Sequence, residues 1–146
     1  MANSADYAGD IGVADAWGLL ERETGAQLVD VRTRAEWAYV GLPDLSALGR
    51  EVRCVEWQSF PDMAVNPQFA ALVAQQLKQL GADEDTPVLF ICRSGARSRS
   101  AAIALTAAGF HRAYNVAGGF EGDLDEHRHR GRRNGWKAEG LPWRQS

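Results

Sequence analysis

An α/β domain with a mainly parallel sheet, flanked by helices on both faces, is the fold class that the sequence predicts. Three observations lead to it. Strand-like and helix-like stretches alternate along the whole chain, and two short apolar runs, QLVDV at 27–31 and PVLFI at 87–91, read as buried strands. The length of 146 residues suits a single domain over 1–146, which at that size buries roughly 70% of the surface its unfolded chain exposes.

The elements follow in order. Over 13–23, Val13, Ala16, Trp17 and Leu20 recur at helical spacing, and Gly25 offers a C-terminal cap. After the strand at 27–31, Thr33 with Glu36 forms the capping-box pattern for one or two helical turns. Residues 41–49, with Pro43 and two glycines, read as irregular, and 51–57 read as a second strand through Val52, Val55 and Trp57. Asn66 caps a helix with Pro67 in its first position, and Phe69, Leu72, Val73, Leu77 and Leu80 share one face until Gly81. A strand at 87–91 and an Ala-rich helix at 98–108 then enclose a turn that holds Cys92. In parallel sheets ligands bind beyond the carboxyl ends of strands, and Cys92 stands at one such end. No repeat or low-complexity linker divides the chain, which excludes a tandem arrangement.

Composition narrows the function classes. A chain that is 45% hydrophobic and 24% charged is neither disordered nor membrane-spanning, and a net charge of -3 gives no general attraction to nucleic acid. Residues 1–10 lack the basic start and apolar run of a secretory signal, so a cytoplasmic, reducing compartment is expected. Cys54 and Cys92 form no CxxC pair, and the histidines at 111, 127 and 129 lack metal-ligand spacing. No metal site is expected.

The chemistry concentrates in Cys92-Arg93-Ser94-Gly95-Ala96-Arg97-Ser98. A thiol placed first in a loop that feeds a helix N-terminus meets inward-pointing N–H groups and positive helix potential. Both favour thiolate over thiol, as do Arg93, Arg97 and Arg99, while Gly95 lets the backbone turn tightly. Such a nucleophile in an anion cradle suits attack on a sulfane sulfur or on a phosphorus or arsenic oxyanion. A plain core cysteine is the competing reading, since free cysteine is often buried, but three arginines, a serine and a glycine close by argue against it.

At these residues the chain resembles the rhodanese family. LVDVRTRAEW at 28–37 is similar to that family's strand followed by Asp-x-Arg and an acidic residue, and ICRSGARS to its active loop. Ala117-Gly118-Gly119-Phe120 and GWKAEGLPW at 135–143 resemble its closing elements. The resemblance implies a single rhodanese-like domain, a thiosulfate-type donor whose outer sulfur moves to Cys92, and later transfer to cyanide, a thiol or an acceptor protein, with no cofactor. It also implies that N–H groups from Arg93 to Ser98 hold the terminal persulfide sulfur, that Arg93 binds the donor, and that Arg97 orders the loop. A carboxylate partner for Arg97 is expected in Asp30 or Glu36. Two departures stand out: Gly41-Leu42-Pro43-Asp44 replaces the family's histidine-containing stretch, and a charged segment, 123–134, precedes the terminal Gly-Trp element.

A phosphatase or arsenate reductase is the main rival. Only four residues separate Cys92 from Arg97, with Ile91 where related phosphatases usually have histidine, and a tetrahedral oxyanion needs a wider ring of donors. A sulfur-carrying or sensing module without turnover is a second rival, set against the intact cysteine and arginines. Cys54 is expected to pack within its strand, Trp17, Trp37 and Trp57 to anchor the core, and Trp136 and Trp143 either to pack there or to cap the active loop. Segment 123–134 has Leu124 as its one strongly apolar residue and is expected to be an exposed, poorly packed excursion whose removal spares the fold. Its basic run at 128–133 reads as solvated surface or as a dock for an anionic donor or acidic protein, and the preceding acids weaken any nucleic-acid role.

Overall fold

The computed structural model describes residues 6–59 and 62–145. In chain order the elements are β1 (Gly9–Gly12), α1 (Val13–Arg22), β2 (Gln27–Asp30), α2 (Arg34–Tyr39), β3 (Leu42–Pro43), a 3-10 turn (Ser46–Leu48), β4 (Arg53–Cys54), β5 (Gln58–Ser59), β6 (Ala64–Val65), α3 (Phe69–Gln79), β7 (Val88–Ile91), α4 (Ala96–Ala107), β8 (Ala113–Ala117) and β9 (Trp143–Arg144). Five strands form one sheet in the order β1-β8-β7-β2-β4, and every neighbouring pair is parallel. Two small antiparallel pairs, β3 with β9 and β5 with β6, lie outside it.

Side-chain alternation along the central strands divides the core into two layers. Val88 and Phe90 of β7, with Val29 of β2, pack with Phe69, Val73 and Leu77 of α3 and Ala101, Ala102 and Leu105 of α4. Leu89 and Ile91, with Leu28, face the other way, onto Ala16, Leu19 and Leu20 of α1 and onto Phe120 and Trp136. The mainly parallel sheet covered on both faces is thus the architecture, and it leaves the carboxyl end of β7 open to the Cys92 loop. Among the described residues no helix is long and apolar enough to cross a membrane.

Several elements differ from the sequence expectation for identifiable reasons. The strand read over 51–57 shrinks to Arg53–Cys54, which pairs with Val29 and Asp30 of β2, while beyond it the Val55 and Trp57 N–H groups still donate to the Asp30 and Val31 carbonyls. α3 starts at Phe69, since the Asn66 side chain accepts from the Gln68 N–H at 2.9 Å and closes a turn instead of capping a helix at Pro67. Of its apolar residues, Phe69, Val73 and Leu77 are buried, whereas Leu72 and Leu80 are exposed, so the buried stripe is narrower than the apolar one. α1 ends at Arg22 and is capped by Glu23 in place of Gly25, and α4 begins two residues before the expected Ser98. Strands β1 and β8 carry Gly9, Gly12, Asp10 and Asn115, which gave no strand signal; pairing within the sheet decides their state.

Trp136 is fully buried, edge-on to Trp17 with ring centroids 5.9 Å apart, and Trp143 lies against Phe120 at 6.3 Å; neither caps the loop. Trp17, Trp37 and Trp57 are half-buried. Cys54 is exposed, so its expected packing within a strand is not what the fold contains. Segment 123–134 is mostly exposed, Leu124 included, but both of its ends are pinned. Asn134 exchanges side-chain hydrogen bonds with Asp123, the Gly131 N–H donates to the Glu121 carbonyl at 2.7 Å, and Gly122 approaches Asn134 too closely for any Cβ.

Candidate active site

Cys92 follows β7 directly and is 1% exposed. Its Sγ lies 3.2 Å from the Gly95 N, 3.4 Å from the Ser98 N and 3.1 Å from Ser98 Oγ. Gly95, with φ +126, turns the chain so that α4 begins at Ala96 with its N-terminus at the sulfur. The N–H groups of Ala96 and Arg97 have no carbonyl to bind within the helix, and they add to the donors at this end. The packing of Cys92 with Val31, Phe90 and Ala101 would also suit an inert thiol. The two N–H donors on its sulfur would not, because they favour negative charge there.

The loop is closed on its far side by Arg97. Its Nη1 and Nη2 donate to the two Glu36 carboxylate oxygens at 2.7 and 3.0 Å, a bidentate pair across 61 residues of sequence. Glu36 is itself held by its helix end: it accepts from the Thr33 N–H at 3.1 Å while its own N–H donates to Thr33 Oγ1, the capping box of α2. Partial burial pushes the Glu36 carboxyl up, but the Arg97 guanidinium and the Thr33 donors outweigh it and hold the pKa down at about 2. Asp30 does not pair with Arg97. It forms a fully buried ion pair with Arg32, whose Nη2 lies 2.7 Å from Asp30 Oδ2 and also donates to the Gly41 carbonyl. Asp30 and Glu36 therefore have separate structural places: one ties the end of β2 to the exit of α2, the other ties α2 to the loop.

Under the loop lies the turn after β8. The Phe120 N–H donates to the Cys92 carbonyl at 2.8 Å, and the N–H groups of Glu121 and Gly122 donate to that of Arg93 at 3.0 and 3.1 Å. Gly119, with φ +64, permits this approach: a Cβ there would lie 2.6 Å from the Arg93 and Cys92 carbonyl oxygens. Gly119→Ala is accordingly expected to displace the start of the loop, costing about 1–3 kcal/mol by crowding and lowering activity. Urea unfolding and a thiol alkylation rate read the two effects separately.

A cavity of about 510 Å³ opens beside the loop. Arg93 and Arg97 line it from the loop, Glu36 and Val40 from α2 and its end, and Gln58 and Met63 from the β5–β6 region. Glu121 and Arg130 complete the wall, so the pinned charged segment delivers one arginine to this mouth. Arg97 is neutralised by Glu36, whereas among the described residues Arg93 and Arg130 have no carboxylate within ion-pair distance. The structure thus brings Cys92, Arg93, Gly95, Arg97, Ser98 and Glu36 together, with Ser94 and Ala96 in the connecting backbone. Sequence reasoning missed Asn115, Gln58, Met63 and Glu121, none of which carries a local signal. Gly119 entered only as part of a closing element and Arg130 only within the basic run at 128–133, whose alternative reading was a dock for an anionic donor. Among the described residues no group of three or more His, Cys, Asp or Glu is placed to hold a metal ion.

Comparison with known proteins identifies the family of the chain. Residues 13–126 match the model of the rhodanese-like domain family. An uncharacterized protein, RC0915, of Rickettsia conorii is 35% identical over 88% of this chain and 90% of its own length. The thiosulfate sulfurtransferase GlpE of Actinobacillus pleuropneumoniae serotype 3 is 31% identical over 91% of this chain and 90% of that protein. The crystal structure of Rv0390 from M. tuberculosis superposes with a TM-score of 0.86 at 51% identity, covering 96% of this chain and 99% of that one.

Proposed function

The chain belongs to the rhodanese-like domain family, and from that premise we propose that it is a sulfurtransferase working through a persulfide on Cys92. The observation that carries the reading is the pair of N–H donors on Cys92 Sγ, in a loop that Arg97 and Glu36 hold closed with four residues between Cys92 and Arg97. The Cys92 thiolate attacks the outer sulfur of a thiosulfate-like dianion. As the new S–S bond forms, the old one breaks, and sulfite departs with the bonding pair and both negative charges. The single charge left sits on the terminal persulfide sulfur, within the field of α4. Cyanide or a thiolate, free or on a partner protein, then attacks that terminal sulfur and returns Cys92 as thiolate. The scheme needs no cofactor and suits a reducing cytoplasmic setting.

Donor binding falls to the unpaired cations at the mouth. Arg93 and Arg130 offer two guanidinium groups to an anion, with the Glu121 carboxylate opposing over-binding. Arg130→Ala is expected to raise KM for thiosulfate several-fold with little change in kcat and a weaker dependence on ionic strength, because it acts before the S–S bond breaks. An unchanged KM would remove Arg130 from donor binding.

Cys54 has no part in the scheme. Partial desolvation and then the Asp30 carboxylate push its thiol up to about 11, so near neutral pH the protonated thiol dominates. Cys54→Ser should leave sulfur transfer within a few-fold of the parent, and loss of turnover in a folded variant would make Cys54 a second working thiol. The reading as a whole is tested by steady-state assays with thiosulfate and cyanide, run beside an aryl phosphate. Sulfite and thiocyanate formation supports it; phosphate release through Cys92 without sulfur transfer replaces it with the phosphatase alternative.

A further inference from the structure

Ser98 makes more contacts than its one proton can serve. Its Oγ lies 3.1 Å from Cys92 Sγ, 2.6 Å from Asn115 Oδ1 and 3.2 Å from the Gly95 carbonyl oxygen. A hydroxyl donates once. The orientation of the Asn115 amide is fixed from behind, because its Nδ2 donates to Asp10 Oδ1 at 3.0 Å and a flipped amide would set oxygen against carboxylate. Asp10 Oδ1 also accepts from the Tyr7 hydroxyl at 2.8 Å, and Arg99 Nε donates to that hydroxyl oxygen at 3.3 Å. Ser98 is fully buried and Asn115 is 5% exposed, which leaves bulk water little access to take over a lost contact.

The Asn115 Oδ1 at 2.6 Å and the sulfur at 3.1 Å are both nearer to Ser98 Oγ than the Gly95 carbonyl at 3.2 Å, and the proton is divided between those two in two arrangements. With Cys92 as a thiol, its S–H donates to Ser98 Oγ, and the Ser98 hydroxyl donates to Asn115 Oδ1. With Cys92 as a thiolate, the Ser98 hydroxyl must turn to the sulfur, and Asn115 Oδ1 loses its donor. We propose that the Ser98 hydroxyl is a two-position switch on Cys92, and that Asn115, oriented by Asp10, is the positioning residue that draws its proton away from the sulfur at rest. On ionisation the S–H bond breaks and its proton goes to a solvent base. The Ser98 O–H bond is kept and only rotates. In the persulfide the charge has moved to the terminal sulfur, so the hydroxyl returns to Asn115. It turns back when an acceptor takes that sulfur and the S–S pair collapses onto Sγ.

The kinetic part of this inference rests on the sulfurtransferase reading, but the thiol equilibrium does not. Other charges act on this site from α4 (Arg97, whose field reaches Cys92), from the loop, where Arg93 follows Cys92 and lines the mouth, from α2 through Arg97 (Glu36), from β1 through Asn115 (Asp10, with Tyr7 and Arg99 behind it), and from the end of β2, where Asp30 lies opposite Ile91 and pairs with Arg32. All of them remain in Ser98→Ala and Asn115→Leu. The test is the pH dependence of iodoacetamide alkylation at Cys92, read by peptide mass spectrometry, in the Cys54→Ser background. Ser98→Ala removes a donor from the thiolate and should move the midpoint up by about one pH unit. Asn115→Leu frees the hydroxyl for the sulfur and should move it down. Opposite shifts uphold the switch. Shifts of the same sign, or an Asn115→Leu midpoint equal to or above the parent's, overturn it. If Ser98→Ala does not fold, the sign of the Asn115→Leu shift decides alone. Opposite shifts in a protein that transfers no sulfur would uphold the switch and reject the function; same-sign shifts in an active sulfurtransferase would do the reverse.

Discussion

Glu36→Gln is expected to cost about 3 kcal/mol of stability near neutral pH and to lower kcat/KM by roughly tenfold to a hundredfold. The stability figure follows from its carboxyl, held at about 2 against an ordinary 4.5. A group whose folded pKa is depressed contributes fully above its unfolded value and loses that contribution as pH falls through the folded one. The gap between parent and variant should therefore be complete above pH 4.5 and close as pH approaches 2. With both side chains about four-fifths covered, the pair is screened less than a surface ion pair. Glutamine keeps the shape of the Thr33 cap but cannot accept from Arg97 with two charged oxygens, so the guanidinium that closes the loop loses its fixed position. Urea unfolding at pH 7 and pH 3, beside steady-state kinetics, measures both effects. A stability gap independent of pH would show that the carboxylate charge is not what holds α2 to the loop.

Cys92→Ser is expected to abolish turnover while leaving the fold in place. A hydroxyl is almost never ionised near neutral pH, and the N–H donors that favour a thiolate do not bring an alkoxide within reach. The serine oxygen can still accept from the Gly95 and Ser98 N–H groups, so its burial leaves no unmet donor and the melting temperature should move by only a few degrees. Cys54 cannot replace it, being exposed on β4 with its thiol pushed up to about 11. Residual turnover above background in this variant, removed by Cys54→Ser, would overturn the one-thiol scheme.

How much of this was legible in the residues depended on how local each signal is. The strand, turn and helix around Cys92 were readable because β7, Gly95 and α4 are contiguous and each states its own preference: four apolar residues, a positive-φ turn and an alanine-rich run. The capping box of Thr33 and Glu36 was readable for the same reason. β1 and β8 were not, since GDIG is half glycine and AYNVA sets Tyr114 and Val116 among Ala and Asn, and both become strands by pairing with each other and, through β8, with β7. The partner of Arg97 could not be chosen between Asp30 and Glu36 because both follow from one segment. What decides is that Arg32, two residues beyond Asp30, folds back and occupies it in the core. Asn115 and Arg130 reach the site from strands and loops far along the chain, and no spacing rule connects them to Cys92. Cys54 went the other way: Val52 and Val55 beside it are buried, and the short β4 leaves the cysteine between them on the outside.

Whether Cys92 carries the transferred sulfur is decided by intact-protein mass spectrometry after thiosulfate treatment. The expected result is a gain of one sulfur atom per chain with one sulfite released, localised to the Cys92 peptide, absent in Cys92→Ser, present in Cys54→Ser and removed by a reducing thiol. A parent protein that stays unmodified by thiosulfate while hydrolysing a phosphate ester through Cys92 would contradict it.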